Sequence, residues 1–506
     1  MIILSLVSGI LFGLSFPPFG FSAFAWFCLV PVLYLNLKNS KQASMAGLLT
    51  GMVANGLIFI WLWKTLAAAQ IGIGTTLFCW TALSLLLSLY FLLFFLVYYY
   101  LPTTIWKPWI VAFFWIVLNH IQTTIFTGFP WAFLGMTQAY NLPLIQMVSI
   151  TGVEGITFLI VVTNVTFAEF LKSFNRGKSS IPPACFVNAL VVLGLLLGWH
   201  LYGLGRLHLS KAYPANEFRV AILQGNIDQY KKWNDTYEEN IREVYANLAR
   251  KGSDENPDLM VWPESAVPGW FPNDKYYHTW IKEIAQQTKT HHIIGAVTTR
   301  NGGDYNSAFL INPNGEILSE YAKQHLVPFG EYIPFGESLD NIFPYLGQLG
   351  VFTPGNQPLM FQVKDFQLTP NICYEAIFSN LIRKNVRQGA DVIVNLTNDG
   401  WYLDTGAPEQ HYISNIFRAV EMGKPVIRAA NTGISAVIDP WGRELLRSPL
   451  LVSGIFCQAI PIPKHSIKTL YLKWGSWFFG LAWLFVVLYT AKYVTRIKRK
   501  NRTTHK

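Results

Sequence analysis

Charge is what this 506-residue chain has least of: only 13% of its residues are charged, against roughly 25% in an ordinary soluble protein. The shortage is uneven. Before Gly205 the chain is a series of apolar runs with very few acids, Glu154 and Glu169 among them. From Glu217 to Pro463 charges, turns and alternating patterns return, before a last apolar run and a basic tail. This distribution excludes a single soluble globule. It predicts a transmembrane bundle over 1–205, a soluble domain over 217–463, a last transmembrane helix over 472–494 and a basic cytoplasmic tail over 495–506.

Other absences narrow the chemistry. Five cysteines form no CxxC pair, which excludes a zinc ribbon and a thioredoxin-type site. Cys28, Cys79 and Cys185 lie in or beside apolar runs, where a buried thiol is the default. That leaves Cys373 and Cys457 in the soluble part. The chain has no HExxH, no Walker loop and no GxSxG, since Gly433-Ile434-Ser435 continues as Ala436-Val437. His291 and His292 lack a third ligand at metal spacing, so they read as a surface turn, and no metal or cofactor is expected. The N-terminus has no basic n-region and reads as a spanning or re-entrant segment, not a cleaved signal.

The net charge of +10 owes much to Lys492, Arg496, Lys498, Arg499, Lys500, Arg502 and Lys506 in the tail. Directly after an apolar segment, such a cluster indicates topology and anionic lipid headgroups. No aromatic–basic motif accompanies it, so nucleic acid is not an expected partner. Apolar segments at 2–16, 23–37, 43–63, 75–101, 109–121, 144–171, 185–202 and 472–493 give eight expected spans. With a cytoplasmic N-terminus, Lys38, Lys41, Lys107, Lys172, Arg176, Lys178 and the tail all fall inside, and only Lys64 and a few residues flanking the soluble domain fall outside. The positive-inside rule then places the soluble domain outside the cytoplasm.

Within that domain, Val- and Ile-rich runs predict strands at 218–224, 258–263, 292–299, 306–312, 366–372, 391–396, 425–430 and 434–439. A helix is expected over 235–249, with Tyr237, Ile241, Val244, Tyr245 and Leu248 on one stripe and Asp235 as N-cap. Leu381, Ile382 and Val386 make a similar stripe. Alternating strands and helices indicate an α/β domain. Asn301-Gly302-Gly303 and Pro313-Asn314-Gly315 add hairpins and so a mixed sheet.

Reactive side chains stand where strands end: Glu264 after Val261-Trp262-Pro263, Lys323 after Tyr321-Ala322, and Cys373 after Asn371-Ile372. In α/β sheets such ends are the usual place for a site. The three groups fit one reaction. A thiolate is a strong nucleophile, and a following helix N-terminus lowers its pKa. A carboxylate can take its proton and return it to a leaving group. An ammonium can stabilise an oxyanion, and Glu331 can hold that lysine. By spacing alone a buried core thiol, a capping glutamate and a surface lysine account for the same residues equally well.

The ordered set Trp262-Pro263-Glu264, Lys323 with Pro328-Phe329-Gly330-Glu331, and Cys373-Tyr374-Glu375 resembles the carbon–nitrogen hydrolase (nitrilase) superfamily, with its Glu-Lys-Cys triad. In a membrane chain it is similar to the apolipoprotein N-acyltransferase family. Ser15-Phe16-Pro17-Pro18, Thr127-Gly128-Phe129-Pro130-Trp131, Gln224-Gly225-Asn226-Ile227 and Asn398-Asp399-Gly400-Trp401 carry the likeness over nearly the full length. The resemblance implies a multi-span α-helical membrane bundle plus an extracytoplasmic α/β domain built as an αββα sandwich. It implies Cys373 as acyl-accepting nucleophile, Glu264 as general base, Lys323 as oxyanion cation and Glu331 as second carboxylate. Tyr374 and Glu375 support the nucleophile, and Trp233 sits on an arm beside the site. It further implies a bacterial inner membrane location with the domain on the periplasmic side, a phospholipid acyl donor, and diacylglyceryl apolipoproteins as acceptors. Gly400, where alanine is common, and Glu409, where an aromatic is common, depart from the pattern. The same triad in a membrane-anchored amidase would use water as acceptor. A transporter with a merely ligand-binding outer domain would not need Cys373. The apolar stretches at Trp270-Phe271 and 345–352 read as arms at the membrane surface, and His120, Glu154 and Glu169 as intramembrane polar groups.

Overall fold

A computed structural model describes every residue except 175–182, 230, 233, 335–350 and 505–506. The chain divides into two compact units, one of Met1–His208 with Trp474–Lys506, the other of Leu209–Lys473.

The first unit is helical. Among the described residues, three helices are long and apolar enough to cross a membrane: Ile73–Tyr100, Val153–Phe174 and Pro183–Ala212. A fourth span results if Ser40–Ile58 and Leu62–Ala68, bent by 51°, count as one. Several expected spans are therefore shorter or broken. The 23–37 segment is a 3-10 turn, Ser22–Trp26, followed by the short helix Val30–Leu33. Pro31 has no N–H to carry a helix onward. The 144–171 segment breaks at Gly152, whose φ of +71° ends one short helix before the long one starts at Val153. Glu169 is buried and paired with Lys107 at 3.6 Å and Lys172 at 3.9 Å, and Tyr98 donates to it. Lys107 and Lys172 thus serve as buried partners inside the unit. His120 accepts from the Trp483 indole at 2.9 Å and stacks on Phe479, which ties the last helix to Lys107–Thr124. Glu154 is buried. Arg176 and Lys178 lie outside the described residues.

The second unit holds two six-stranded sheets. The strands are β1 Ala215–Gln224, β2 Leu259–Val261, β3 His291–Arg300, β4 Gly303–Ile311, β5 Ile317–Ala322, β6 Phe361–Val363, β7 Phe366–Ile372, β8 Val392–Thr397, β9 Val426–Ala430, β10 Ala436–Ile438, β11 Glu444–Arg447 and β12 Gly454–Pro463. One sheet runs β12-β1-β2-β3-β4-β5, the other β11-β10-β9-β8-β7-β6. Parallel pairs β1–β2–β3 and β7–β8–β9 lie in the middle, flanked by antiparallel strands. Both sheets are mixed, as expected.

Strand alternation builds the layers. On β1, Phe218, Val220 and Ile222 point into a core shared with Leu368, Ile372, Val394 and Ile427 of the other sheet. Ala221 and Leu223 point the other way, against Ile241 and Tyr245 of helix Asp235–Ser253 and Trp280 and Ile284 of helix Lys275–Thr288. Helices Ser379–Val386 and Ala407–Met422 pack on the second sheet. The result is an αββα sandwich. The N-cap of the first helix is Asn234, one residue before the expected Asp235, with its side chain accepting from Thr236 N. Asn301 and Gly302 both have positive φ, +50° and +77°, the form that suits a two-residue hairpin.

All eight expected strands are present, and each is an inner strand. The four unforeseen ones, β5, β6, β11 and β12, are the four sheet edges. Edge strands carry exposed, polar or proline-bearing sequence; β12 contains Pro461 and Pro463, so the alternation is diluted. Of the expected arms, Phe271 is buried against Phe309, whereas Trp270 and Val351 are exposed. Residues 345–350 lie outside the described set.

Candidate active site

Glu264, Lys323 and Cys373 follow β2, β5 and β7, so strand ends of both sheets converge on one buried spot. Lys323 Nζ sits 3.3 Å from Glu264 Oε1 and 2.8 Å from Glu331 Oε1. Asn306, on β4, donates its single amide group to the same two oxygens at 2.7 and 2.9 Å. The remaining oxygens accept main-chain N–H groups: Asn398 N to Glu264 Oε2 at 2.8 Å and Val327 N to Glu331 Oε2 at 2.8 Å. Buried charges are tolerable only when paired and hydrogen-bonded, and here both carboxylates and the ammonium are. Burial opposes the Lys323 charge, but Glu264 and Glu331 outweigh it and hold the ammonium well above the usual lysine range.

Close packing sets the position of Glu264. A Cβ on Gly295 of β3 would lie 2.3 Å from the Pro263 carbonyl oxygen and 2.6 Å from Glu264 Cα. Only glycine admits that approach. Behind the segment, buried Lys232 donates to the Glu264 carbonyl at 3.1 Å. Burial pulls the Lys232 ammonium down to about 8, with Glu264 opposing.

Cys373 has φ +51°, a left-handed turn between β7 and the 3-10 segment Cys373–Ile377. Glu375 braces the turn. Its carboxylate accepts from Ile372 N at 2.6 Å, Gln324 N at 2.7 Å, His325 N at 3.1 Å and the Tyr321 hydroxyl at 2.9 Å. Burial raises Glu375 to about 7, against the pull of those N–H groups. Tyr374 packs its ring edge-on to Phe378. With 9% of its surface exposed, Cys373 is more accessible than Glu264 at 6% or Lys323 at 1%.

The expected lowering of the thiol pKa by a following helix is not found. Burial and the Glu264 carboxylate, with Asp399 adding to them, push Cys373 up, and Lys323 and Thr397 only partly counter them. The surroundings of the thiol therefore favour its neutral form.

Behind Cys373 lies a polar network not foreseen in the sequence. His411 Nε2 is 3.1 Å from the Cys373 carbonyl oxygen, and Nδ1 is 2.9 Å from Asp399 Oδ1. Arg428 reaches Asp399 Oδ2 at 2.7 Å and Asn395 at 2.6 Å. Burial alone would raise Asp399, but Arg428 and His411 outweigh it and hold the carboxyl down at about 2. Cys373, Asp399 and His411 have metal-ligand spacing. His411 Nδ1 and Asp399 Oδ1 are already committed to each other, however, and the Arg428 charge opposes a second cation there. The sequence signal was Arg428 itself, a charge in the middle of the apolar strand Val426–Ala430. Asn306 gave no signal, because a polar residue at a strand start is ordinary.

The two departures from the family pattern are Gly400, which is buried, and Glu409. A Cβ on Gly400 would lie 3.0 Å from Asn398 Oδ1, so the alanine common there needs a small shift. Glu409 pairs with Arg447 at 2.5 Å in place of an aromatic contact. Trp233 lies outside the described residues.

An αββα sandwich with a carboxylate, an ammonium and a thiol gathered at its strand ends is of the carbon–nitrogen hydrolase class, and residues 219–462 match the carbon–nitrogen hydrolase family model. Residues 8–166 match the model of the apolipoprotein N-acyltransferase N-terminal domain. An apolipoprotein N-acyltransferase of Geobacter metallireducens is 35% identical, covering 94% of this chain and 92% of its own. Another, of Haemophilus influenzae, is 31% identical over 96% and 94%. An amidase from Nesterenkonia sp. overlays at 20% identity with TM-score 0.39, covering 51% of this chain and 92% of its own. The chain belongs to the apolipoprotein N-acyltransferase family.

Proposed function

We propose that this chain transfers an acyl group from a membrane phospholipid, through a thioester on Cys373, to the α-amino group of the N-terminal S-diacylglyceryl-cysteine of a lipoprotein. Family membership makes the enzyme an N-acyltransferase. The observation that carries the mechanism is the direct contact of Glu264 and Glu331 with Lys323 beside a buried thiol.

Glu264 accepts the thiol proton as sulfur attacks the ester carbonyl. The tetrahedral oxyanion forms beside Lys323, whose charge Glu331 and Asn306 keep in place. Collapse expels the glyceryl oxygen, which takes the proton from Glu264 and leaves as lysophospholipid. The lipoprotein amine then attacks the thioester, Glu264 takes its proton, and the sulfur leaves and is reprotonated. A thioester opens readily to an amine, so the exchange is ping-pong and calls on no cofactor. On this reading Trp233 supports the reaction, as the family resemblance implies. Residues 1–205 and 472–494 serve as the membrane anchor, with eight spans by the apolar pattern, and 495–506 as a cytoplasmic tail. The domain over 217–463 works at the periplasmic face of the bacterial inner membrane, which the distribution of lysine and arginine supports. The match to acyltransferases over both parts of the chain favours transfer over hydrolysis.

Mass spectrometry of the purified enzyme after exposure to phospholipid tests the reading. An acyl adduct on Cys373 is expected, lost on adding an amine acceptor and missing in Glu264→Gln. Activity surviving in Cys373→Ala would overturn it, and free fatty acid released without N-acylated product would mean hydrolysis.

A further inference from the structure

Of the buried cations described in the sandwich unit, Lys323, Arg418, Lys424 and Arg428 each face a carboxylate. Lys232 does not. Only 2% exposed, it directs its ammonium at a neutral group, the main-chain carbonyl of Glu264, at 3.1 Å. Among the described residues no ion pair joins it. A buried charge is costly unless paired, and apolar replacements of buried ionic groups are often neutral or stabilising. Burial accordingly pulls this ammonium down, against the attraction of the Glu264 carboxylate. A methionine would fill similar space with less penalty to the fold. Stability therefore explains Lys232 poorly, and what it touches is the general base.

The contact falls at the turn that aims Glu264. Ser265, the next residue, has φ +47°, a left-handed form that residues other than glycine adopt uncommonly. Beyond it, Ala266 N donates to the Gly295 carbonyl of β3 at 2.7 Å. The Glu264–Ser265 peptide precedes that anchor, and Lys232 holds its oxygen. The lysine is itself presented by a braced loop. After β1, Asn226 N donates to the Asn431 carbonyl at 2.9 Å, and the Asn431 side chain bonds both main-chain groups of Ile227, at 2.9 and 2.7 Å. Gln229 then accepts from the Asn398 side chain, and Asn398 N donates to Glu264 Oε2 at 2.8 Å. One loop thus reaches Glu264 twice, directly at its carbonyl and by way of Asn398 at its carboxylate.

We propose that Lys232 is a positioning residue whose ammonium pins the Glu264–Ser265 peptide and so keeps the Glu264 carboxylate aligned, one oxygen on Lys323 and the other on Asn398 N, for proton transfer. This deepens the reading above and rests on Glu264 acting as general base.

The test compares full-length wild type with Lys232→Met in detergent. Single-turnover acylation of Cys373 is followed at varied phospholipid, beside thermal unfolding and hydrogen exchange of peptides covering Ala266 and Val267. The maximal acylation rate is expected to fall roughly tenfold to a hundredfold, with the half-saturating phospholipid concentration little changed. The unfolding midpoint is expected to stay level or rise, while exchange at Ala266 and Val267 quickens. A merely structural lysine would lower the midpoint and the rate together. Lys232→Leu is read alongside, so that a folding failure of one apolar replacement does not close the test. A wild-type rate, a loss of rate without faster exchange, a loss that comes only with a lower midpoint, or failure of both variants to fold overturns the proposal. The wild-type acyl adduct on Cys373 and its absence in Glu264→Gln are read in the same assay, so failure of the nucleophile and base assignments is seen separately.

Discussion

Asn306 is one amide shared between two carboxylates, and its removal makes the clearest single-residue prediction. Asn306→Ala leaves Glu264 Oε1 and Glu331 Oε1 with Lys323 alone between them. Hydrogen bonds to charged groups contribute about 1.5–3 kcal/mol, so kcat is expected to fall roughly tenfold to a hundredfold, measured by single-turnover acylation. Glu264 supplies a second prediction, with a sign opposite to intuition. Its carboxylate raises the Cys373 pKa, so Glu264→Gln should let the thiolate form at lower pH even as acyl transfer is abolished. An alkylation profile shifted to lower pH would confirm it; an upward shift would contradict it. Asp399 supplies a third. Its folded carboxyl is depressed to about 2 from the ordinary 3.8. Its stabilising contribution is therefore complete above the ordinary value and fades as pH falls through about 2. Asp399→Asn should flatten that acid limb in thermal unfolding followed against pH.

The strands act as brackets, and their packing explains why the site tolerates so little change. β3 approaches the Glu264 segment so closely that Gly295→Ala must displace it, since the new Cβ would meet main chain, not a flexible side chain. Acyl transfer is expected to drop more than about a hundredfold while thermal stability falls by a few degrees, because misplacement by an ångström is enough. The inner strands were legible from sequence because residues buried on both faces read as apolar runs. The four edges were not, since half-exposed strands such as β11 and β12 carry no such run. The strand-end positions of Glu264 and Cys373 were legible for the same reason, each being a reactive side chain directly after an apolar run; Lys323 ends the unforeseen edge β5 and was marked by its motif instead. Asn306 and His411 were not, because their partners are remote in sequence: Asn306 meets Glu264 and Glu331, and His411 meets the Cys373 carbonyl.

For the whole molecule, the division into a helical unit and a sandwich unit leads to a topological prediction. Cysteine introduced at exposed Lys275 should react with a membrane-impermeant maleimide in intact spheroplasts. Cysteine at exposed Lys38 should react only after permeabilisation. The reverse pattern would refute the periplasmic placement. In the helical unit the ion pairs of Glu169 with Lys107 and Lys172 show why charge counting and burial must be read together. Lysines counted toward a cytoplasmic side in the expected topology also neutralise a buried acid.

The amino-acid order alone determined the division into apolar and polar parts, the inner strands and the reactive groups at their ends, because hydrophobic period and turn residues act locally. Only the tertiary structure decided which edge strands complete the two sheets, where the apolar runs break, and that the surroundings of the thiol favour its neutral form. Those depend on what burial and distant charges place around each group, and no local pattern in the chain records that.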